Sequence, residues 1–269
     1  MTLQEFDLTG KVAIVTCAGR GIGKAIALCF AQTGATTVVA ARTESQIEQT
    51  RKEIEEGGGK CLSISTDVTK DEDVERMASK AVDTFGKVDI LVNQVGGSGG
   101  GSIVPLPGHR GFLSGGDSQA SLSKLAWQHC MDTTLTSVFL CCRSVGPFMI
   151  EQKRGKIINV SSMAAAKGFA NLVPYTVSKA GVAMFTRSLA LEWVRYNINV
   201  NGIGPGYIPT AFTEPMLNDL KRRKKLLRSV PLGRFGEPRE IGLLAVYLAS
   251  PASDYLTGQT IYIDGGILA

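Results

Sequence analysis

Histidine is scarce in this 269-residue chain, with only His109 and His129, and no two cysteines have Cys-x-x-Cys spacing. The six cysteines stand at positions 17, 29, 61, 130, 141 and 142. Without ligand-spaced partners, a metal site is not expected, and free thiols in a reducing compartment are the simpler reading. No apolar stretch reads as long enough to span a membrane. Met1 to Asp7 carries acid and has no basic n-region, so it does not read as a signal peptide. Charge of one sign is not in large excess: 29 Lys and Arg face 24 Asp and Glu, for a net +5. That balance, with no recognition motif, argues against a nucleic-acid partner. Internal repeats and composition breaks are absent as well. The expectation is one soluble, cytoplasmic domain over residues 1–269, with neither membrane nor nucleic acid as partner.

What is present is alternation. Short apolar runs at Val12–Val15, Thr37–Ala41, Cys61–Ile64, Ile90–Val92, Ile157–Val160, Asn197–Asn201 and Gln259–Ile263 read as strands. Between them, Gly23–Thr33, Gln46–Glu56 and Val74–Phe85 have helical spacing. Strands that are apolar throughout and alternate with helices imply a parallel sheet covered on both faces. The expected fold class is α/β: a doubly wound, seven-stranded parallel sheet of the Rossmann type. One Gly/Ser/Pro-rich stretch, about 96–123, lacks periodicity. It reads either as a surface insertion or as a substrate-side lid, because it follows the carboxyl end of the fourth strand.

After the first strand comes Thr16-Cys17-Ala18-Gly19-Arg20-Gly21-Ile22-Gly23, then a helix. Glycines there let backbone N–H groups approach a pyrophosphate, and the helix N-terminus adds partial positive charge. Gly19, Arg20, Gly21, Ile22 and Gly23 are therefore candidate dinucleotide contacts. The second strand ends Ala40-Ala41-Arg42-Thr43, with no acid before Glu44 to hold an adenosine 2′-hydroxyl. Arg42, joined by Arg20, can pair with a 2′-phosphate, which favours NADP(H) over NAD(H) as cofactor.

Pro174-Tyr175-Thr176-Val177-Ser178-Lys179 contains Tyr-x-x-x-Lys, two side chains on one helix face. An ammonium beside a phenol favours phenolate, so Tyr175 is expected to have a lowered pKa and to act as general acid/base. Ser162, just after the fifth strand, can polarise a substrate oxygen. Ser162, Tyr175 and Lys179 are the candidate catalytic set.

With these motifs in place, the chain resembles the classical short-chain dehydrogenase/reductases over nearly its whole length, the insertion excepted. Asp67-Val68 resembles the family's adenine-contacting pair, and Pro205-Gly206-Tyr207-Ile208-Pro209-Thr210 its nicotinamide-side loop. Gly233 to Pro238 resembles a stretch common in its bacterial reductases. The resemblance implies that Asp67, Val68, Asn93, Pro205, Gly206, Ile208 and Thr210 join the cofactor site. It implies that Lys179 binds the nicotinamide ribose, that Tyr175 delivers the proton and that Ser162 steadies the oxygen. It also implies a homotetramer built on helices near Lys124–Gln152 and Tyr175–Tyr196.

Three sites, four residues in all, depart from the family pattern. Cys17 replaces a glycine: a positive φ would strain the turn by about 1–2 kcal/mol, while a negative φ would only add bulk beside the pyrophosphate. Gln94-Val95 replaces Asn-Ala, and Thr134 stands where the family carries an Asn that completes a tetrad. The functional expectation is an oxidoreductase moving a hydride between NADP(H) and a small carbonyl/secondary-alcohol substrate, in the manner of a carbonyl reductase. A 3-oxoacyl thioester reductase is the runner-up, weakly favoured by the basic run Lys221 to Lys225, which otherwise reads as a solvated helix face. Met216, Leu217 and Leu220 before it can line an apolar pocket. A non-catalytic dinucleotide sensor on the same fold is the reading of another class.

Overall fold

The computed structural model describes residues 3–95, 100–104, 121–211 and 213–269. His109, most of the Gly/Ser-rich stretch and the Met216 side chain lie outside the described residues. In chain order the elements are β1 (Val12–Thr16), α1 (Gly21–Gln32), β2 (Thr36–Ala41), α2 (Glu44–Glu56), β3 (Cys61–Ser65), α3 (Asp71–Phe85) and β4 (Ile90–Asn93). Then come α4 (Lys124–Met131), α5 (Ser137–Glu151), β5 (Gly155–Val160), α6 (Val173–Trp193) and β6 (Ile198–Pro205). The chain closes with α7 (Glu214–Leu217), α8 (Leu220–Arg228), α9 (Pro238–Ala249) and β7 (Thr260–Ile263).

The seven strands form one sheet in the order β3-β2-β1-β4-β5-β6-β7, and every neighbouring pair is parallel. Side chains alternate between its two faces, as pleating requires. Val12 and Ile14 of β1, Leu91 of β4 and Ile157 of β5 pack with α3, α5 and α6. Ala13 and Val15, Ile90 and Val92, and Ile158 and Val160 pack with α1, α2 and α9. A strand between two apolar layers has no polar face, which is why β1 and β4 are buried along their whole length.

Local chemistry marks the ends of several helices. α3 begins Asp71-Glu72-Asp73, carboxylates set against the positive end of the helix dipole, and stops at Gly86 with φ +76°. α9 starts with Pro238 after a reciprocal capping box between Glu237 and Glu240. The segment expected as one helix over Lys124–Gln152 carries a π-helical turn, Asp132–Thr136, between α4 and α5. Contrary to the expectation from sequence, the continuous run Lys124–Glu151 is long and apolar enough to cross a membrane. Half of its most apolar 18-residue window is buried inside the protein, where Val138, Cys141, Val145 and Met149 join the core. It therefore reads as a core helix.

All six cysteines are free thiols. Cys141 and Cys142 are buried core residues, and burial pushes the Cys142 thiol up to about 12. Trp193 packs where Gly146 leaves room: a Cβ at Gly146 would stand 2.4 Å from the indole.

Candidate active site

The strand order reverses beside β1, where β2 lies on one side and β4 on the other. Ligands in open α/β sheets bind outside the carboxyl ends of the strands at such a point. A cleft of about 300 Å³ opens there. The turn after β1 supplies Cys17, Gly19, Arg20, Gly21 and Ile22 to its wall, and the end of β2 supplies Arg42. Asp67 and Val68 come from the end of β3, and Ser162, Tyr175 and Lys179 from β5 and α6. Pro205, Gly206, Ile208 and Thr210 come from β6 and the loop after it. Residues expected from scattered motifs thus converge on one cavity.

Gly23 and Asn93 are the exceptions, for they lie behind the wall. A Cβ at Gly23 would stand 2.4 Å from the Cys17 carbonyl oxygen, so this glycine lets α1 close against the turn. Asn93 is fully buried, and its amide donates to Asn159 Oδ1 at 2.9 Å and to Cys142 Sγ at 3.3 Å. Its place is in the sheet beneath the cleft.

The turn leaves its main chain open to close approach from the cleft. Gly21 has φ +57°, and a Cβ at Gly19 would stand 2.8 Å from Gln46 Cβ. Cys17 has φ +50°, so the strained alternative for this position holds. Thr50 Oγ1 donates to the Ala18 carbonyl at 3.1 Å, and Thr16 Oγ1 to the Gln94 carbonyl at 3.0 Å, fixing the turn from both sides. The cradle, the α1 N-terminus and two exposed arginines suit a dinucleotide. Across the cleft, Thr213 holds the loop after β6. Its hydroxyl donates to the Ile208 carbonyl at 2.8 Å and accepts from the Thr210 N–H at 2.9 Å.

Ser162 follows the end of β5. Its Oγ accepts from the Ala164 N–H at 3.1 Å and is hydrogen-bonded to the Tyr175 phenol. Lys179 is almost completely buried, and its ammonium donates to the carbonyls of Val95 at 3.0 Å and Val160 at 2.8 Å. Ser161 Oγ donates to the Lys179 carbonyl at 2.9 Å, tying this part of α6 to β5.

Burial decides both pKa directions. It holds the Lys179 amine down at about 8, although nearby Cys17 and Cys130 thiols oppose this. It pushes the Tyr175 phenol up, against the Ser162 hydrogen bond. The expected lowering of the phenol pKa by Lys179 is not found, because the ammonium is aimed at main-chain carbonyls.

Sequence reasoning missed Gln46, Thr133 and Thr213 on the wall and singled out Gln94 only as a departure from the family pattern. Only Thr213 carried a signal, a threonine three residues beyond Thr210 that can close a hydroxyl turn. Thr134 lies in the π-helical turn, fully buried, and its hydroxyl has no hydrogen-bond partner among the described residues. Among the described residues no group of three or more His, Cys, Asp or Glu could hold a metal ion.

Residues 17–268 match the family model described as enoyl-(acyl carrier protein) reductase. The chain is 37% identical to the 2-dehydro-3-deoxy-D-gluconate 5-dehydrogenase of Bacillus subtilis, over 98% of this chain and 97% of that protein. It is 36% identical to the 3-oxoacyl-[acyl-carrier-protein] reductase FabG of Thermotoga maritima, over 97% of this chain and 99% of that protein. Among solved structures it resembles a candidate 2-deoxy-D-gluconate 3-dehydrogenase from Agrobacterium tumefaciens with NADP bound. That match has a TM-score of 0.87 and 33% identity, over 99% of each chain. A 7α-hydroxysteroid dehydrogenase complexed with NADH and a 7-oxo bile acid matches with a TM-score of 0.90 and 31% identity, over 99% of this chain and 98% of that one. Relatives of this kind set aside a non-catalytic sensor. The chain belongs to the classical short-chain dehydrogenase/reductase family and is a nicotinamide-dependent oxidoreductase acting on alcohol and carbonyl groups.

Proposed function

We propose that this enzyme prefers NADP(H) to NAD(H) and interconverts a small secondary alcohol and its ketone. The observation that carries the cofactor preference is the pair Arg20 and Arg42 at the cleft, with Glu44, the first acid after β2, off its wall. Two planar guanidinium groups suit a 2′-phosphate. The bound nicotinamide supplies or accepts the hydride. Tyr175 donates the proton to the carbonyl oxygen in reduction and removes it in oxidation, and Ser162 holds that oxygen. Lys179 holds the nicotinamide ribose. Gly19, Arg20, Gly21 and Ile22 cradle the diphosphate, Asp67 and Val68 border the adenine, and Pro205, Gly206, Ile208 and Thr210 border the nicotinamide.

A hydroxylated sugar acid is the first substrate class, because relatives that span the whole chain are gluconate-type dehydrogenases. A 3-oxoacyl thioester is the second reading. It is favoured by the basic helix α8, where Lys221, Arg223, Lys224, Lys225 and Arg228 are exposed, and by relatives that are 3-oxoacyl reductases. We further read the protein as one domain over residues 1–269, cytoplasmic in view of its six free thiols. A homotetramer is supported by exposed apolar side chains on α4, α5 and α6, among them Leu125, Phe139, Val177, Met184 and Leu191. Fluorescence titration with NADPH and NADH tests the cofactor preference without any substrate. Tighter NADPH binding that Arg42→Ala abolishes supports it, and equal or tighter NADH binding overturns it.

A further inference from the structure

The two arms of the Gly/Ser-rich insertion meet the segment that leads into α6. Gly101 forms a parallel bridge with Leu172, and Ser102 forms one with Ser121. The Gly101 N–H donates to the Asn171 carbonyl at 2.8 Å, and the Leu122 N–H to the Ser102 carbonyl at 2.8 Å. Ser102 Oγ donates to Asn171 Oδ1 at 2.6 Å. The outgoing arm, the returning arm and the entry to α6 are thus laced side by side.

Ser102 is the one buried residue among the described positions 100–104 and 121–123. A hydroxyl so enclosed needs a partner, and Asn171 provides one. Asn171 has φ +61°, a left-handed conformation that asparagine tolerates better than most residues. Its main chain and its side chain therefore both bond the same arm. Leu172, the next residue, is the N-cap of α6, and its carbonyl accepts from the Thr176 N–H at 2.8 Å. Tyr175 lies in that first turn.

Ser162 and Tyr175 stand on different elements, so their contact depends on how the first turn of α6 is held. On one side Ser161 grips Lys179; on the other is the Ser102–Asn171 clip. We infer that Ser102 and Asn171 are positioning residues for Tyr175, their hydrogen bond anchoring the first turn of α6 to both arms of the insertion and so fixing the phenol against Ser162. This rests on the reading of Tyr175 as the proton donor and acceptor.

The test uses the full chain with Ser102→Ala, Asn171→Gly, the double variant and Ser102→Thr. 2-Dehydro-3-deoxy-D-gluconate with NADP+ is the first probe, and acetoacetyl-CoA with NADPH the second. Misplacing a reacting group by a fraction of an ångström is expected to lower kcat about tenfold in each single variant. The double variant loses no more than either single one, since one bond is being removed. Ser102→Thr keeps the hydroxyl and restores kcat, and the NADPH Kd stays unchanged throughout. Losing the Ser162 contact also moves the acidic limb of kcat for oxidation to higher pH. Wild-type kcat and pH profile in the single variants overturn the inference, as does a Kd that weakens in step with kcat. Turnover surviving in Tyr175→Phe would sink the reading of Tyr175 itself, a separate outcome. If wild type turns over neither probe, hydrogen exchange with NADPH bound decides. Faster exchange confined to residues 100–102 and 172–176 supports the clip, and unchanged exchange there overturns it.

Discussion

The Lys179 ammonium stands 5.9 Å from the centre of the Tyr175 ring, yet its hydrogen bonds run to the carbonyls of Val95 and Val160. The lysine thereby joins the loop after β4 to the end of β5 beneath the cleft. Its influence on the phenol is that of a charge across the ring face, a modest contribution. The direct partner of the phenol is Ser162.

Tyr175→Phe removes the only proton-transferring atom that the proposed chemistry uses and keeps the ring that fills the site. Turnover should fall by about 10²–10⁴-fold or more, the usual worth of a general acid/base. NADPH binding, followed by fluorescence, should remain. Turnover at the wild-type rate would remove Tyr175 from the mechanism.

Cys17→Gly relieves a left-handed backbone at a residue with a Cβ. The variant should be more stable by about 1 kcal/mol, offset in part by the greater freedom of glycine in the unfolded chain. For a domain of this size that is a rise in Tm of about 2–4 °C, which calorimetry can read. A lower Tm would mean that thiol contacts outweigh the strain.

Lys179 has its amine held at about 8, below the ordinary lysine value of 10.5. The folded protein therefore binds this proton less tightly than the unfolded chain. Stability from this group rises as pH climbs from about 8 toward 10.5, and it is lost as pH falls through 8. Lys179→Met has similar length and no proton to bind. Thermal melts from about pH 7 to about pH 10 should show the wild type gaining on the variant as pH rises. A pH-independent difference between the two would contradict a depressed lysine.

Strands β1 and β4 were legible because they are buried on both faces and almost wholly apolar; Val12 to Val15 and Ile90 to Val92 fall inside the observed β1 and β4. The site was legible wherever a motif joined residue type to spacing, as in Tyr175 and Lys179 on one helix face. Composition does not carry backbone sign, so the φ of Cys17 stayed open until the turn was seen. The π-helical turn around Thr134 was invisible because it leaves helical periodicity almost intact. Helix α9 was not read from the sequence, because Ile241, Ala245, Val246 and Leu248 are buried and Leu244 and Tyr247 are partly so, which blurs any polar face. Ser102 and Asn171 meet across 69 positions, beyond the reach of any local pattern.

A sheet whose neighbours are all parallel has a consequence for synthesis. Among the described residues no strand pairs through a tight hairpin, so every ladder waits for a crossover segment to be made. During translation β1, β2 and β3 can associate first, leaving the β1 edge open until Ile90–Asn93 emerges. Each later strand then joins the edge left by the one before it, β4 to β5 to β6 to β7. The nascent chain thus exposes a moving, pairable edge, a period of vulnerability to misassociation. The glycine turn after β1 is formed with the first strands, whereas Ser162, Tyr175 and Lys179 arrive only with the second half of the chain.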